Sequence, residues 1–178
     1  CIIVHRDGIT FDCNYKTITF PAGVCPRPIA IGVYGQNNEI KNCRIVTGGL
    51  GIDVSGLGVD ICSNNKIYNN YIKSEYCSVD SPGIRDRFCT NTNILGNYFY
   101  KYYESILITG SDDTKVSGNS FKESRYIGIR IYNSSTISII NNIACESSNT
   151  DIHNSFPRGP IYGSGNTCDK TVNFNDIE

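Results

Sequence analysis

Short stretches of alternating apolar and polar residues recur along the whole chain, and such stretches are typical of β-strands with one buried face. The clearest examples are residues 29–33, 51–54, 105–109 and 127–131. Helical periodicity, with apolar residues three and four positions apart, appears nowhere in the sequence. The pattern therefore predicts an all-β protein.

A second pattern follows these stretches at a nearly constant distance. It consists of an aliphatic residue, two spacers, an asparagine, one spacer and an apolar residue. The asparagine position is occupied by Asn70, Asn97, Asn119 and Asn142, with a variant at Cys43 and a weaker copy at Asn166. Successive positions are 22 to 27 residues apart, a length that suits one coil of about three short strands in a parallel β-helix. The repeat predicts one domain over residues 1–178, with roughly six or seven stacked coils.

The repeated asparagines have a physical explanation. In a tight bend, asparagine adopts left-handed backbone angles readily, and its side-chain amide can bond to the equivalent asparagine of the next coil. We therefore expect Asn70, Asn97, Asn119 and Asn142 to form an internal ladder with a structural role.

These coils resemble the pectate-lyase-like superfamily of right-handed parallel β-helices, whose coils carry the same I-x-x-N-x-F turn. The segments 7–14 and 17–20 also resemble a first coil of that superfamily, and the likeness covers residues 7–169. The resemblance implies the fold and a polymer-binding face on one sheet. It is weak evidence for any activity, because many functions share this architecture.

Nine cysteines are many for 178 residues, and the odd number leaves at least one unpaired within the chain. No C-x-x-C motif occurs and the two histidines lie far apart, so a zinc site is not expected. Disulfides and buried reduced thiols remain as alternatives. Cys62 and Cys89 each lie eight residues before an anchor asparagine, so we expect them to stack on neighbouring coils and form a disulfide. Cys77 and Cys168 are expected to fill the core.

Charge and hydropathy narrow the class of partner. The net charge is −1, with 16 basic and 17 acidic residues intermixed, which argues against nucleic acid as a partner. No apolar run approaches the ~20 residues of a membrane helix, so membrane insertion is not expected. A first residue other than Met indicates a processed product or an excerpt of a longer chain. We expect an extracellular or virion-surface location.

Candidate catalytic residues come from the outward positions of the strand that precedes each turn. The repeat places Asp53 and Asp80 on neighbouring coils, where two carboxylates can share a cation such as Ca²⁺. Arg130 and His153 lie further along the same face, where they could bind an acidic sugar or act as a base. The set resembles the carboxylates and arginine of polysaccharide lyases. The alternative is that these are ordinary solvated charges.

Candidate substrate-binding residues lie in two other places. Residues 81–88 are expected to form a long loop, from which Arg85, Asp86 and Arg87 could reach over the groove, with purely structural decoration as the alternative. Tyr71 and Tyr98 directly follow their anchor asparagines, so they should stack outward on adjacent coils with Tyr100 close by. Exposed aromatic rings bind the apolar faces of sugars, but they also stabilise stacked strands without any ligand.

The sequence thus favours a carbohydrate-binding or polysaccharide-depolymerising β-helix of the lyase or viral tailspike type. A lyase would abstract a proton beside a uronate carboxyl, whereas a hydrolase would use paired carboxylates. Tailspike helices are homotrimers, which would also protect a short solenoid. The alternative is a non-catalytic structural or adhesive module of a larger assembly, because open coil ends need a covering partner. Whether the domain is an enzyme is left open.

Overall fold

The computed structural model describes residues 1–20, 29–56, 61–75, 81–143, 147–167 and 171–172. In these ranges no helix is long and apolar enough to cross a membrane. The regular structure they contain consists of the following strands: β1 (Ile2–Val4), β2 (Thr10–Asp12), β3 (Thr17–Thr19), β4 (Ile29–Val33), β5 (Glu39–Lys41), β6 (Arg44–Thr47), β7 (Leu50–Ser55), β8 (Lys66–Tyr68), β9 (Tyr71–Ser74), β10 (Pro82–Arg87), β11 (Asn93–Leu95), β12 (Tyr98–Tyr100), β13 (Glu104–Thr109), β14 (Lys115–Ser117), β15 (Ser120–Lys122), β16 (Ile127–Tyr132), β17 (Ile137–Ile140), β18 (Thr150–Ser155), β19 (Ile161–Ser164) and β20 (Thr171–Val172).

Each of these strands pairs in parallel with the equivalent strand of a neighbouring coil, so the strands form three parallel sheets. Sheet A contains β1, β4, β7, β10, β13, β16, β18 and β20. Sheet B contains β2, β5, β8, β11, β14, β17 and β19, and sheet C contains β3, β6, β9, β12 and β15. The predicted parallel solenoid is therefore confirmed. Five to eight strands per sheet agree roughly with the predicted six or seven coils.

The core is a set of stacked columns of identical or similar side chains. In sheet A one fully buried column consists of Ile31, Ile52, Ile84, Ile106, Ile129 and Ile152. β-Branched side chains suit this pleated surface, and burying each isoleucine contributes roughly 1.5–3 kcal/mol. In sheet C the rings of Phe99 and Phe121 stack with centroids 5.0 Å apart.

The predicted asparagine ladder is confirmed. The backbone N–H and the Nδ2 of Asn70 both donate to Oδ1 of Asn97, each at 3.0 Å, and Nδ2 of Asn97 also donates to the carbonyl of Ile67 at 2.9 Å. The same contacts continue through Asn119 and Asn142. Because these buried polar groups are paired, the ladder satisfies the hydrogen-bonding groups of the turn without water.

One detail of that prediction was wrong, because the ladder asparagines are not the left-handed residues. The positive φ angle belongs to the residue just before each of them, as at Asn69 (56°), Gly96 (60°) and Gly118 (64°). The bend is made at that preceding position, which turns the chain so that the following asparagine side chain enters the stack.

Among the described residues, two disulfides join neighbouring coils. The predicted Cys62–Cys89 bridge is confirmed, with Cα atoms 4.7 Å apart. A second bridge, between Cys13 and Cys43, was not predicted. It was missed because Cys43 stands in an anchor position, where the sequence pattern offered no partner. Cys77 and Cys168 lie outside the described residues.

The segment predicted to be a long loop, residues 81–88, instead contains strand β10. This strand pairs with β7 on one side and β13 on the other. Ile84 and Asp86 are fully buried on the inner side, whereas Arg85 and Arg87 are partly exposed on the outer side. The loop prediction was wrong because Asp86, a charged residue in an inward position, hid the alternation of apolar and polar residues that marks a strand.

Candidate functional site

The outer side of sheet A carries most of the predicted catalytic residues. Hydrogen-bonded register aligns one outward column: Gly32, Asp53, Arg85, Leu107, Arg130 and His153. Arg130 and His153 are direct neighbours, as the repeat predicted. The neighbour of Asp53 on the next coil is Arg85, so the prediction that Asp80 matches Asp53 was wrong. The prediction failed because β10 begins at Pro82, later in the coil than the repeat predicted. Asp80 itself lies outside the described residues.

Asp53 is bound on several sides. Its side chain is 1% exposed, and its two carboxylate oxygens accept from Nε and Nη2 of Arg85, each at 2.8 Å. The hydroxyl of Ser55 donates a further hydrogen bond at 2.8 Å. The hydrogen bond to Asp53 raises the pKa of Arg85 above its usual value. Burial, together with the Asp53 charge, raises the pKa of the nearby Tyr34. Asp53 therefore holds β10 to β7 through a bidentate ion pair.

Arg130 is also held by a carboxylate. Its Nη1 donates to Oε1 of Glu104 at 2.8 Å, and the Glu104 side chain is 4% exposed. Nε2 of His153 lies 3.0 Å from the hydroxyl of Ser155. Burial lowers the pKa of His153, Arg130 lowers it further, and Glu104 opposes the shift. Glu104 was missed because it precedes the alternating stretch by which this strand was recognised.

The part of the chain that the structure describes contains no group of three or more histidine, cysteine, aspartate or glutamate side chains arranged to hold a metal ion. The predicted Ca²⁺ site required Asp53 and Asp80 in matching positions. Since Arg85 takes the position opposite Asp53, that geometric basis is absent.

A buried carboxyl group lies beneath the same sheet. Asp86 is fully buried between Val54 and Ile108 of the adjacent coils. The hydroxyls of Thr92 and Thr114 donate to its two oxygens at 3.1 and 2.7 Å. Burial raises the pKa of Asp86 to about 6, although these hydrogen bonds oppose the shift. This internal acid was not predicted.

The outer side of sheet C is built from aromatic and basic residues. As predicted, the rings of Tyr71 and Tyr98 stack, with centroids 5.4 Å apart and planes inclined by 7°. The Arg44 guanidinium lies 4.9 Å from the centre of the Tyr71 ring, which extends the stack by a cation–π contact. Arg44 was missed as a site residue, although it occupies the Tyr71 position one coil earlier.

These residues border an open groove of about 370 Å³, which is also lined by Tyr15 and by the turns at Asn69 and Gly96. Tyr15 is strongly exposed. The groove therefore presents flat aromatic surface with a guanidinium group at one end.

The other tyrosines of this region serve different purposes. Tyr100 is partly exposed, and the Lys101 ammonium lies 4.9 Å from its ring centre. Tyr102 is fully buried in the core, whereas Tyr103 stacks on Tyr126 with centroids 4.9 Å apart. Of the three, Tyr100 is the one predicted to bind substrate, and its outer position agrees with that prediction without testing it.

Comparison with known proteins identifies the class. A family model described as a right-handed β-helix region matches residues 24–177. The chain therefore belongs to the right-handed β-helix family.

The other comparisons add little to this assignment. Among solved structures, the plasmid-mediated fluoroquinolone resistance protein QnrB1, in a trypsin-treated form, aligns over 97% of this chain and 90% of its own, with 12% identity and a TM-score of 0.22. So low a score carries no argument about function. No curated protein matches this chain.

Proposed function

We propose that this domain binds glycans on the outer face of sheet C, with sugar rings packed against Tyr71 and Tyr98. The observation that carries the proposal is the parallel pair of tyrosine rings beside an open groove. The apolar face of a pyranose ring packs well on such a surface, and the phenol hydroxyls can bond to sugar hydroxyls. The guanidinium group of Arg44 adds hydrogen-bond donors to the lining of the groove.

A binding function is favoured over depolymerisation by the state of the predicted catalytic residues. Asp53 is bound to Arg85 and Ser55, and Arg130 is bound to Glu104. A general acid or base must reach the substrate proton, and a buried ion-paired carboxylate is poorly suited to that task. Catalysis by Asp53, Asp80, Arg130 and His153 stays a prediction.

One observation favours the second candidate, a structural or adhesive module of a larger assembly. Among the strands that the structure describes, β1, β2 and β3 each pair with a neighbour on one side only. Ile3 on β1 is 61% exposed. Unpaired strand edges and exposed apolar side chains are usually covered by another chain or segment. The predicted trimer would be one such assembly.

The test is a binding screen of the whole chain against neutral and acidic oligosaccharides, followed by calorimetric titration of the best ligand. We expect Tyr71→Ala and Tyr98→Ala each to weaken binding about tenfold, a loss of about 1.4 kcal/mol. Tyr162→Ala is the matched control, since Tyr162 is an exposed tyrosine on sheet B. Absence of binding to every glycan, or equal binding by all variants, would overturn the proposal.

A further inference from the structure

A second recess lies beside the tyrosine groove on the same face. It has a volume of about 440 Å³ and is lined by Lys73, Ser74, Glu75, Tyr100, Lys101 and Arg125. Lys73 and Tyr100 follow Tyr71 and Tyr98 by two residues on β9 and β12, so they project on the same side roughly 6.8 Å further along each strand. The two recesses therefore form one continuous surface.

This surface carries more positive than negative charge. The cations that line or adjoin it are Arg44, Lys73, Lys101, Lys122 and Arg125, and the carboxylates are Glu75 and Glu123. Lys73 lies 3.1 Å from Glu75, and Lys101 lies 3.5 Å from Glu123. Within the described ranges, Arg44, Lys122 and Arg125 form no ion pair. A positive face is notable because the chain as a whole has a net charge of −1.

Two of the three arginines on the described strands of sheet A are in a different state, whereas the third, Arg87, lies over the Phe88 ring, 5.9 Å from its centroid. Arg85 and Arg130 are each bound by a nearly buried carboxylate, of Asp53 and Glu104. The positive charges of these two guanidinium groups are therefore already neutralised by carboxylates of the same chain. Sheet C is therefore the better placed of the two faces to attract an anion.

From this arrangement we infer that the ligand is an anionic glycan bearing carboxylate or sulfate groups. This inference rests on the proposed glycan binding. A sugar ring packs on Tyr71 and Tyr98. The acidic group of an adjoining sugar unit binds Arg125 together with Lys101, whose pair with Glu123 is solvent-exposed, unlike the buried carboxylates of sheet A. Hydrogen bonds to charged groups contribute more than neutral ones, about 1.5–3 kcal/mol each. A neutral glycan would forgo that contribution, so these two cations act as specificity determinants.

Single-stranded nucleic acid is the competing ligand for a surface of aromatic and basic side chains. The intermixed charges of the chain, with 16 basic and 17 acidic residues, argue against it. It is therefore included as a competitor in the test.

The experiment compares size-matched neutral, carboxylated and sulfated oligosaccharides by calorimetric titration of the full chain at low and high salt. We expect the acidic ligands to bind about tenfold more tightly at low salt, with most of that preference lost at high salt. The carboxylated and sulfated arms distinguish the two sources of negative charge. Lys101→Gln combined with Arg125→Gln should abolish the preference, measured as the ratio of the affinities for the acidic and the neutral ligand.

Lys115→Gln is the matched control, because Lys115 is an exposed lysine on sheet B. Equal binding of neutral and acidic ligands, or the same loss in the control, would overturn the inference and leave glycan binding intact. Absence of binding to any glycan would overturn the proposed function itself. Tighter binding of single-stranded DNA than of any glycan would overturn both.

Discussion

Sheets A and C of this β-helix use charged and aromatic residues in opposite ways. On sheet A, the guanidinium groups of Arg85 and Arg130 bind carboxylates that are almost fully buried. On sheet C, Tyr71 and Tyr98 stack beside an open groove, and Arg125 is exposed without an ion pair within the described ranges. Similar residue types therefore stabilise the stack on one face and remain accessible on the other.

Register explains the difference between the two faces. Strands of neighbouring coils lie about 4.8 Å apart, so a carboxylate and a guanidinium in the same column come into contact. Asp53 meets Arg85 in this way on sheet A. On sheet C, Arg44 and Tyr98 flank Tyr71 in one column. The guanidinium group and the two rings therefore stack, and the positive charge of Arg44 is not neutralised within the described part of the chain.

The largest expected effect is on sheet A. Replacing Asp53 with alanine leaves the partly buried Arg85 without its partner, and we expect the free energy of unfolding to fall by about 3 kcal/mol. Chemical denaturation measures this change. Glu39→Ala is the control, since Lys66 is 51% exposed and Glu39 28% exposed, so that this surface pair should contribute less than about 1 kcal/mol. Equal losses in the two variants would contradict the assignment of a structural ion pair.

A second large effect concerns Asp86 beneath sheet A. Its pKa is about 6 in the folded state, above the ordinary value of 3.8 for an aspartate side chain, so the folded protein binds the proton more tightly than the unfolded chain does. This contribution to stability is complete below about pH 4 and is lost as pH rises through about 6, with a total change of about 3 kcal/mol.

Asp86→Asn removes that titration. We therefore expect the variant to gain stability relative to the wild type as pH rises from about 4 to about 7. The measurement is the difference between the two unfolding free energies at each pH, which cancels the contributions of other carboxylates. A difference that does not change with pH would show that Asp86 does not titrate in this range.

The smallest stability effect is expected on sheet C. An aromatic pair contributes about 0.5–1.5 kcal/mol beyond burial, so Tyr98→Ala should lower the free energy of unfolding by only about 1 kcal/mol while it weakens glycan binding about tenfold. Denaturation and titration of one variant preparation compare the two quantities. A stability loss of several kcal/mol with unchanged binding would make the tyrosine stack a purely structural element.

Much of the fold was predictable because each coil repeats the same physical requirements. Asn97 and its equivalents pair with one another, so their spacing could be read directly from the sequence. Cys62 and Cys89 could be paired because both keep the same offset from that ladder. The Cys13–Cys43 bridge lacks such an offset, because Cys43 replaces the anchor itself.

The site was less predictable because coil length is not shared equally among the sheets. Asn70 and Asn97 are 27 residues apart, whereas Asp53 and Arg85 are 32 residues apart. A register taken from the ladder therefore remained correct for Tyr71 and Tyr98, which adjoin it, but shifted at β10 on sheet A. Asp86 added to the error, because a buried acid does not follow the binary pattern of polar and apolar positions.

The most direct test of the account is to locate a bound oligosaccharide by crystallography of the complex. The tightest-binding ligand of the screen would be used with the unmodified chain. We predict a sugar ring within about 4 Å of the Tyr71 and Tyr98 rings on sheet C. A ligand seated instead on sheet A, over Arg85 and Arg130, would contradict the central claim.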